Sequence, residues 1–515
     1  MKAGDNVPQT AADSFNKRYF YKLTANFAGL LIGLVSQTII PRSLGPRAYG
    51  DFNYLTNFFS QLISFLELNT STGYFTMLSK NPKDSGLVRF YMLFGILVCV
   101  AVFFLVGASH ITSLHKYIWP GEQIGYIYLA ALFGLFTWTT QIFSQMTDAY
   151  GLTVAGEKAK MFQRVLGLPL LVLLFIAGRL TLSSFFLYNY ALFIFLMAAL
   201  IFIMKGGGFS LFKRTELTSE RVRHYARQSY AYSHPLFVSG LVGMLVNIFD
   251  MWLLQVFGGS AEQGFFGLSS QIGALCFLFT GAMTPLLMRE FSIVHAENDT
   301  ERMKWLFEKY IPMMFSIAAF FSCFISVNAA KVIHIFGGQQ YGAAFWAVSA
   351  MAFYPIHQTY GQLIGSAYYA MGKTALYRNI GIFVSVAGVP VSFFLIASPT
   401  YFGFGAGAMG LAVKMVAINV ISVNALLFFI AKPIGISFVH YLRHQALCIG
   451  FMVVTAAVTA LIVNQMAKDS IVIGFLVSGV IYTLATGVFA MYVPSVAGLK
   501  KEDIQKILQI LKPKD

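Results

Sequence analysis

Apolar residues run through this chain in blocks close to twenty residues long, such as 94–108, 165–176 and 471–490, divided by short clusters of proline, glycine and charge, such as PRSLGP at 41–46 and NPKD at 81–84. At 1.5 Å rise per residue, about 20 residues of helix match the ~30 Å hydrocarbon core of a bilayer. Backbone groups in lipid must be paired within the chain, which leaves helices or a closed barrel. The blocks lack the apolar–polar alternation of barrel strands. The pattern therefore predicts fourteen spanning helices, over 20–41, 52–79, 87–109, 124–150, 161–179, 184–204, 229–256, 264–288, 307–329, 342–370, 375–397, 404–431, 441–464 and 471–494.

Composition agrees. Of 515 residues, 57% are hydrophobic and only 11% charged, too few to cover a globule in water. Charge adds orientation. With the N-terminus placed inside, 29 of the 36 lysines and arginines fall on cytoplasmic segments, six fall outside, and Lys414 lies within a span. This is the asymmetry that cytoplasmic loops carry. The net charge of +15 is thus an orientation signal that calls for no nucleic-acid partner, although it favours anionic lipid at the inner face. The polar, basic start is followed by no small-residue cleavage site, so the first block reads as an uncleaved helix. Cys99, Cys276, Cys323 and Cys448 sit inside apolar blocks without metal or disulfide spacing and read as packing residues.

The chain is internally duplicated. The turn after the first span, LGPRAYGDF at 44–52, aligns with GGSAEQGFF at 258–266, placing Gly45 and Gly50 on Gly259 and Gly264 at an offset of 214. AGEKA at 155–159 aligns with MGKTA at 371–375 at an offset of 216. Both offsets equal six spans. An even number gives halves of one orientation, related by an axis along the membrane normal. The expected organisation is all-α. It has an N-lobe over 1–205 (spans one to six), a basic cytoplasmic linker over 206–228 and a C-lobe over 229–431 (spans seven to twelve). Spans thirteen and fourteen follow over 432–495, then a cytoplasmic tail over 496–515. In the tail Ile504, Ile507, Leu508 and Leu511 share a helical face suited to the interface.

Polar residues inside the spans are ordered. In span two Asn53, Asn57, Ser60, Ser64, Glu67, Ser71 and Tyr74 recur at steps of three and four and so share one face. Asn26, Gly29, Gly33 and Ser36 of span one do the same, and the offset of 214 carries them onto Gly240, Gly243, Asn247 and Asp250 of span seven. Small residues commonly let helices approach in lipid, and Gly29, Gly33, Gly240 and Gly243 are expected at such contacts. Two asparagines and a carboxylate on one stripe point instead to a wet surface. Ionisable residues within spans cost about 2.5–3.5 kcal/mol on insertion scales and face a cavity or a partner. Here they are Glu67, Asp148, Asp250, His357 and Lys414, with Arg42 at the outer end of span one. Asp148 and Asp250 also fit helix ends, Arg42 an interfacial anchor, and His357 a repair of the backbone break after Pro355. Glu67 and Lys414 are the deepest and are expected to face each other across a central cleft.

No GxxxxGK[ST] loop, HExxH motif or Cys/His cluster is present, and no loop is large enough for an ATPase or polymerase domain. No cofactor, metal or catalytic residue is expected. The runs IIPRSLGPRAYGDF at 39–52, NIFD at 247–250 with the following glycines, and AMGK at 370–373 resemble the polysaccharide branch of the multidrug/oligosaccharidyl-lipid/polysaccharide exporter superfamily over nearly the whole chain. That resemblance implies a flippase of the Wzx type in the bacterial inner membrane, with both termini cytoplasmic. Its partner would be an undecaprenyl-pyrophosphate-linked O-antigen or related oligosaccharide unit, and H+ or Na+ coupling and contacts with other polysaccharide-assembly membrane proteins would follow. Under it, Arg42 and Lys414 are candidates for the pyrophosphate, Asn53, Asn57, Ser60, Ser64 and Glu67 for the sugar, and Glu67, Asp148 or Asp250 for the coupling ion. A cation-coupled multidrug antiporter of the same fold and a membrane polysaccharide polymerase or ligase are the competing readings.

Overall fold

The computed structural model describes residues 15–68, 70–209, 217–277, 283–466 and 470–499. Among them all regular structure is helical, as lipid requires. The chain divides into two compact units, one of 1–44 with 51–248 and one of 45–50 with 249–515. The first unit contains most of α1 (Phe15–Leu66), then α2 (Thr70–Lys80), α3 (Ser85–Ile111), α4 (His115–Ile118), α5 (Ile124–Ala149), α6 (Thr153–Ile176) and α7 (Leu182–Gly206). Helix α8 (Ser219–Leu275) passes from the first unit into the second. The second continues with α9 (Met283–Ala296), α10 (Thr300–Val327), α11 (Ala329–Phe336), α12 (Phe345–Met351), α13 (Tyr354–Ala370), α14 (Thr374–Ile396), α15 (Gly407–Ile434), α16 (Phe438–Met466) and α17 (Ile471–Tyr492).

Among the described residues ten helices are long and apolar enough to cross a membrane. Expected spans three to seven, nine and eleven to fourteen are among them. Span two breaks at Glu67 and Leu68, between α1 and α2, and within span eight α8 ends at Leu275, followed by a turn at Cys276 and Phe277. Faces with Phe104, Phe202 and Phe383 at 71, 76 and 75% exposure suit hydrocarbon and not water. The core of the second unit gathers Phe291, Phe307, Phe315, Tyr360, Cys323 and Cys448. Cys276, Cys323 and Cys448 are buried and free, and Cys99 is half-buried and free.

The repeat has a backbone counterpart. Gly45 (φ 74°, ψ 170°) and Gly259 (φ 70°, ψ −174°) occupy the same conformation, one essentially confined to glycine, and kink α1 and α8 at equivalent points. The next turns cross closely within the second unit. A side chain on Gly50 would strike the Ser260 carbonyl oxygen, and one on Gly264 the Pro46 carbonyl oxygen. Residues 46 and 260, like 50 and 264, are one repeat apart, so the contact is reciprocal.

The expected linker is partly helical. From Ser219 onward it is the start of α8, and Tyr225 donates to both carboxylate oxygens of Asp84 at 2.9 and 3.1 Å. Asp84 in turn caps α3 by accepting from the Leu87 N–H at 3.0 Å. Residues 210–216 and the amphipathic tail segment 500–511 lie outside the described residues.

Because backbone cannot move aside, Gly50→Val or Gly264→Val is expected to destabilise by about 1–3 kcal/mol or more. Gly243→Ala, where nothing among the described residues lies within 4 Å, is expected to be neutral or slightly stabilising. Thermal unfolding in detergent checks both, and wild-type melting of Gly50→Val would contradict the reciprocal contact.

Candidate functional site

The stripe of span two grades from open to closed along its length. Asn53, Asn57 and Ser64 are half-buried, Ser60 is exposed, and Glu67 and Ser71 are buried. The Oδ1 atom of Asn57 is shielded and has no hydrogen-bond partner. Glu67 sits in the turn between α1 and α2, where the regular ladder stops. Its Oε2 accepts from Trp138 Nε1–H of α5 at 2.7 Å, and its Oε1 accepts from the Ser71 hydroxyl at 3.2 Å. Next to it the hydroxyls of Thr70 and Tyr91 lie 3.2 Å apart, and the Tyr91 ring stacks on Tyr74 at 4.0 Å. Glu67 is therefore held by neutral donors inside its own unit. Trp138 was not legible as its partner, because an indole N–H in an apolar helix carries no charge signal.

Lys414 does not pair with Glu67 as expected. Its ammonium donates to Asp250 Oδ2, and Ser392 donates to Asp250 Oδ1 at 2.5 Å. Lys414 and Asp250 are 4 and 5% exposed, so the pair is cut off from solvent. Three helices, α8, α14 and α15, meet at it, and Gly388 on α14 leaves room for the lysine stem, whose Cε would stand 3.1 Å from a Cβ there. The charge of Asp250 is thus already balanced by a tethered cation. Which carboxylate Lys414 meets depends on which helices pack together, and hydropathy does not carry that information.

A cation overlooked in the sequence reaches the first stripe. Helix α6 begins at Thr153, eight residues before the expected start of span five at 161, so Arg164 lies roughly 16 Å along it and not in its first turn. The Arg164 guanidinium fills the space that a side chain on Gly29 would need. Gly29 is near the middle of the expected span 20–41. One turn further on, nothing among the described residues lies within 4 Å of where a side chain at Gly33 would begin. Gly29, Gly33 and Gly243 are therefore not helix-packing contacts in this structure: the first makes room for an arginine and the others face open space. Gly240 is exposed. The neighbour of Arg164, Gln163, fixes α6 to α7 by donating to the Leu192 carbonyl at 2.9 Å. Arg42 is exposed, and Asp148 is half-buried in the last turn of α5. His357 stands just past the start of α13, where Pro355 is accommodated, so it repairs no broken ladder; its Nε2 meets Gln445 instead. Among the described residues no group of three or more His, Cys, Asp or Glu is placed to hold a metal.

Removing one member of a buried ion pair strands the other. Lys414→Met or Asp250→Leu alone is expected to cost about 3–5 kcal/mol, whereas the double substitution is expected to restore most of the loss. Thermal unfolding of the three purified variants reads this, and wild-type stability of both single variants would show that the pair carries no such charge.

The geometry can be set beside known proteins. The sequence profile of a family described as "Polysaccharide biosynthesis protein" matches residues 15–285, more than half of the chain. No curated protein matches. The fold is similar to that of a lipid II flippase, MurJ, in an inward closed conformation, with a TM-score of 0.65 at 12% identity, covering 92% of this chain and 99% of that one. It is also similar to an inward-facing multidrug resistance MATE family transporter of the MOP superfamily, with a TM-score of 0.60 at 16% identity over 79 and 94% of the two chains. A MOP superfamily transporter from Pyrococcus furiosus follows at 0.50 and 14% identity, over 81 and 95%. The chain is an integral membrane protein with this all-helical transporter fold, and it belongs to the polysaccharide biosynthesis protein family.

Proposed function

We propose that this protein is a flippase that carries undecaprenyl-pyrophosphate-linked oligosaccharide units, of O-antigen or a related surface polysaccharide, from the cytoplasmic to the periplasmic leaflet of the bacterial inner membrane by alternating access. The family description and a fold shared with a lipid II flippase over nearly the whole chain support it. The observation that carries it is the Arg164 guanidinium against the middle of the first span, beside the open position at Gly33. A pyrophosphate crossing hydrocarbon unaided would lose its water from two negative charges, a prohibitive cost. Arginine offsets that loss with a planar fork of donors that suits phosphate oxygens.

In this reading Arg164 and the exposed Arg42 engage the pyrophosphate. Lys414 does not, because an incoming phosphate would first have to displace Asp250. Asn53, Asn57, Ser60 and Ser64 present amides and hydroxyls to the sugar, and the unpartnered Asn57 Oδ1 is a free acceptor for a sugar hydroxyl. If an H+ or Na+ gradient drives the cycle, Glu67 and Asp148 are its sites, since Asp250 already holds a tethered cation. The competing reading, a drug antiporter of the same fold, needs an acid-lined site and has no use for an arginine at mid-span.

Complementation of a flippase-null strain tests the proposal. Wild-type protein is expected to restore surface glycan. Arg164→Gln and Arg42→Ala are expected to lose it by about 10-fold or more at unchanged membrane levels, the loss of one charge-assisted contact. Normal glycan in both variants would remove them as phosphate ligands. Drug tolerance without restored glycan would favour the antiporter. In vesicles, a transport rate unaffected by collapse of the proton and sodium gradients would exclude ion coupling.

A further inference from the structure

The turn between α14 and α15, which joins expected spans eleven and twelve, has no part in the transport reading. It carries Tyr401, Phe402 and Phe404 at 60, 90 and 75% exposure. Phe402 also sits in the left-handed region, at φ 62° and ψ 19°. That conformation is uncommon outside glycine and an outlier for a bulky side chain. Its ring gains almost no protein contact in return. Strain of this kind gathers where a segment has a task beyond the fold.

The turn spends its polar groups on itself. The amides of Tyr401 and Gly403 donate to the Ser398 carbonyl at 2.8 and 3.2 Å, and that of Phe402 donates to Pro399 at 3.1 Å. Those of Phe404, Gly405 and Ala406 donate back to Phe394, Ala397 and Leu395 at 2.7, 2.8 and 2.9 Å. The Thr400 amide and hydroxyl both donate to Ser398 Oγ, at 3.4 and 3.0 Å. Gly403 lies so close to Ala397 that a side chain there would strike its carbonyl oxygen. No charged residue occurs between Arg378 and Lys414.

These features choose the occupant of the exposed face. A sugar or a soluble protein would be met by free hydrogen-bond donors, and here the amides and the Thr400 hydroxyl are already used. Lipid asks for the opposite: donors paired within the chain and no charge. The flanking helices continue the apolar exposure, with Phe383, Val386 and Phe394 on α14 and Met409 and Val413 on α15. Aromatic rings that bear a polar tip, as Tyr401 does, suit the level where headgroups meet acyl chains.

We propose that the turn at 398–405 is a membrane anchor, its Tyr401, Phe402 and Phe404 rings inserted at the headgroup–acyl boundary of the leaflet at that end of α14 and α15. The left-handed turn holds the Phe402 ring clear of the protein, where the leaflet buries it. Tyr401 is braced from behind by Phe257 of α8, with ring centroids 5.6 Å apart. The anchor sets the depth of the α14–α15 hairpin in the bilayer and does not depend on what the protein carries.

The test uses the full chain in nanodiscs of phosphatidylethanolamine and phosphatidylglycerol. In the wild type, a carbene released from a diazirine high on the acyl chain is expected to mark the peptide that contains 399–404. A water-soluble carbene source is expected to spare it. In Phe402→Trp, the emission gained over the wild type is expected to be blue-shifted, quenched by lipids brominated high on the acyl chain and preserved in aqueous iodide. Marking of the wild-type peptide from water and not from lipid would leave the rings open to a soluble partner and overturn the proposal. Iodide quenching of the new tryptophan without quenching by brominated lipid would overturn it as well.

Discussion

A polar group carried into hydrocarbon has to find its partner inside the chain, because lipid offers none and water does not reach it. The structure meets that requirement in a different way for each deep ionisable residue. Glu67 is placed where the helix is broken and is held by an indole and a hydroxyl. Asp250 is given a permanent counter-ion by Lys414. His357 is half-answered: one ring nitrogen is bonded and the other is not. These three solutions separate groups that sequence alone ranks together as charges in a membrane.

Glycine makes room for these arrangements. At Gly45 and Gly259 it supplies a conformation that other residues avoid, and the chain turns twice at points one repeat apart. At Gly29 its value lies in what it lacks. With no side chain there, α1 admits a guanidinium that extends from α6 to the middle of a membrane span. A stripe of small residues therefore has more than one physical meaning: close backbone contact at Gly50 and Gly264, and space for a charge at Gly29.

The division of labour between charges bears directly on transport. A buried ion pair is electrically complete and offers little to a passing anion. The exposed Arg164 reaches from α6 to Gly29 on the first stripe. The proposed phosphate contact therefore moves from Lys414 to Arg164 on α6, and the asparagines and serines of span two on α1 are its neutral partners. At Glu67 and Leu68 the helical ladder gives way to a turn, whose amides bond back to Ile63 and Phe65. Such groups are tolerated in a membrane where protein or water answers them.

The order of apolar blocks and the duplication at an offset of 214 were legible along the chain, because lipid imposes its length scale on every span and the repeat copies it. Gly45 and Gly259 were found by that offset before their shared conformation was known. The partners of the polar residues were not legible. Which carboxylate Lys414 meets, which indole reaches Glu67 and which glycine lies beneath Arg164 depend on how helices far apart in sequence pack together, and helix ends shift by several residues from where hydropathy places them. The sequence by itself determined that this chain is a duplicated helical membrane protein. Only the tertiary structure decided which of its charges are spent on one another, since a span's hydrophobicity reports its depth in lipid but not the neighbour on its other side.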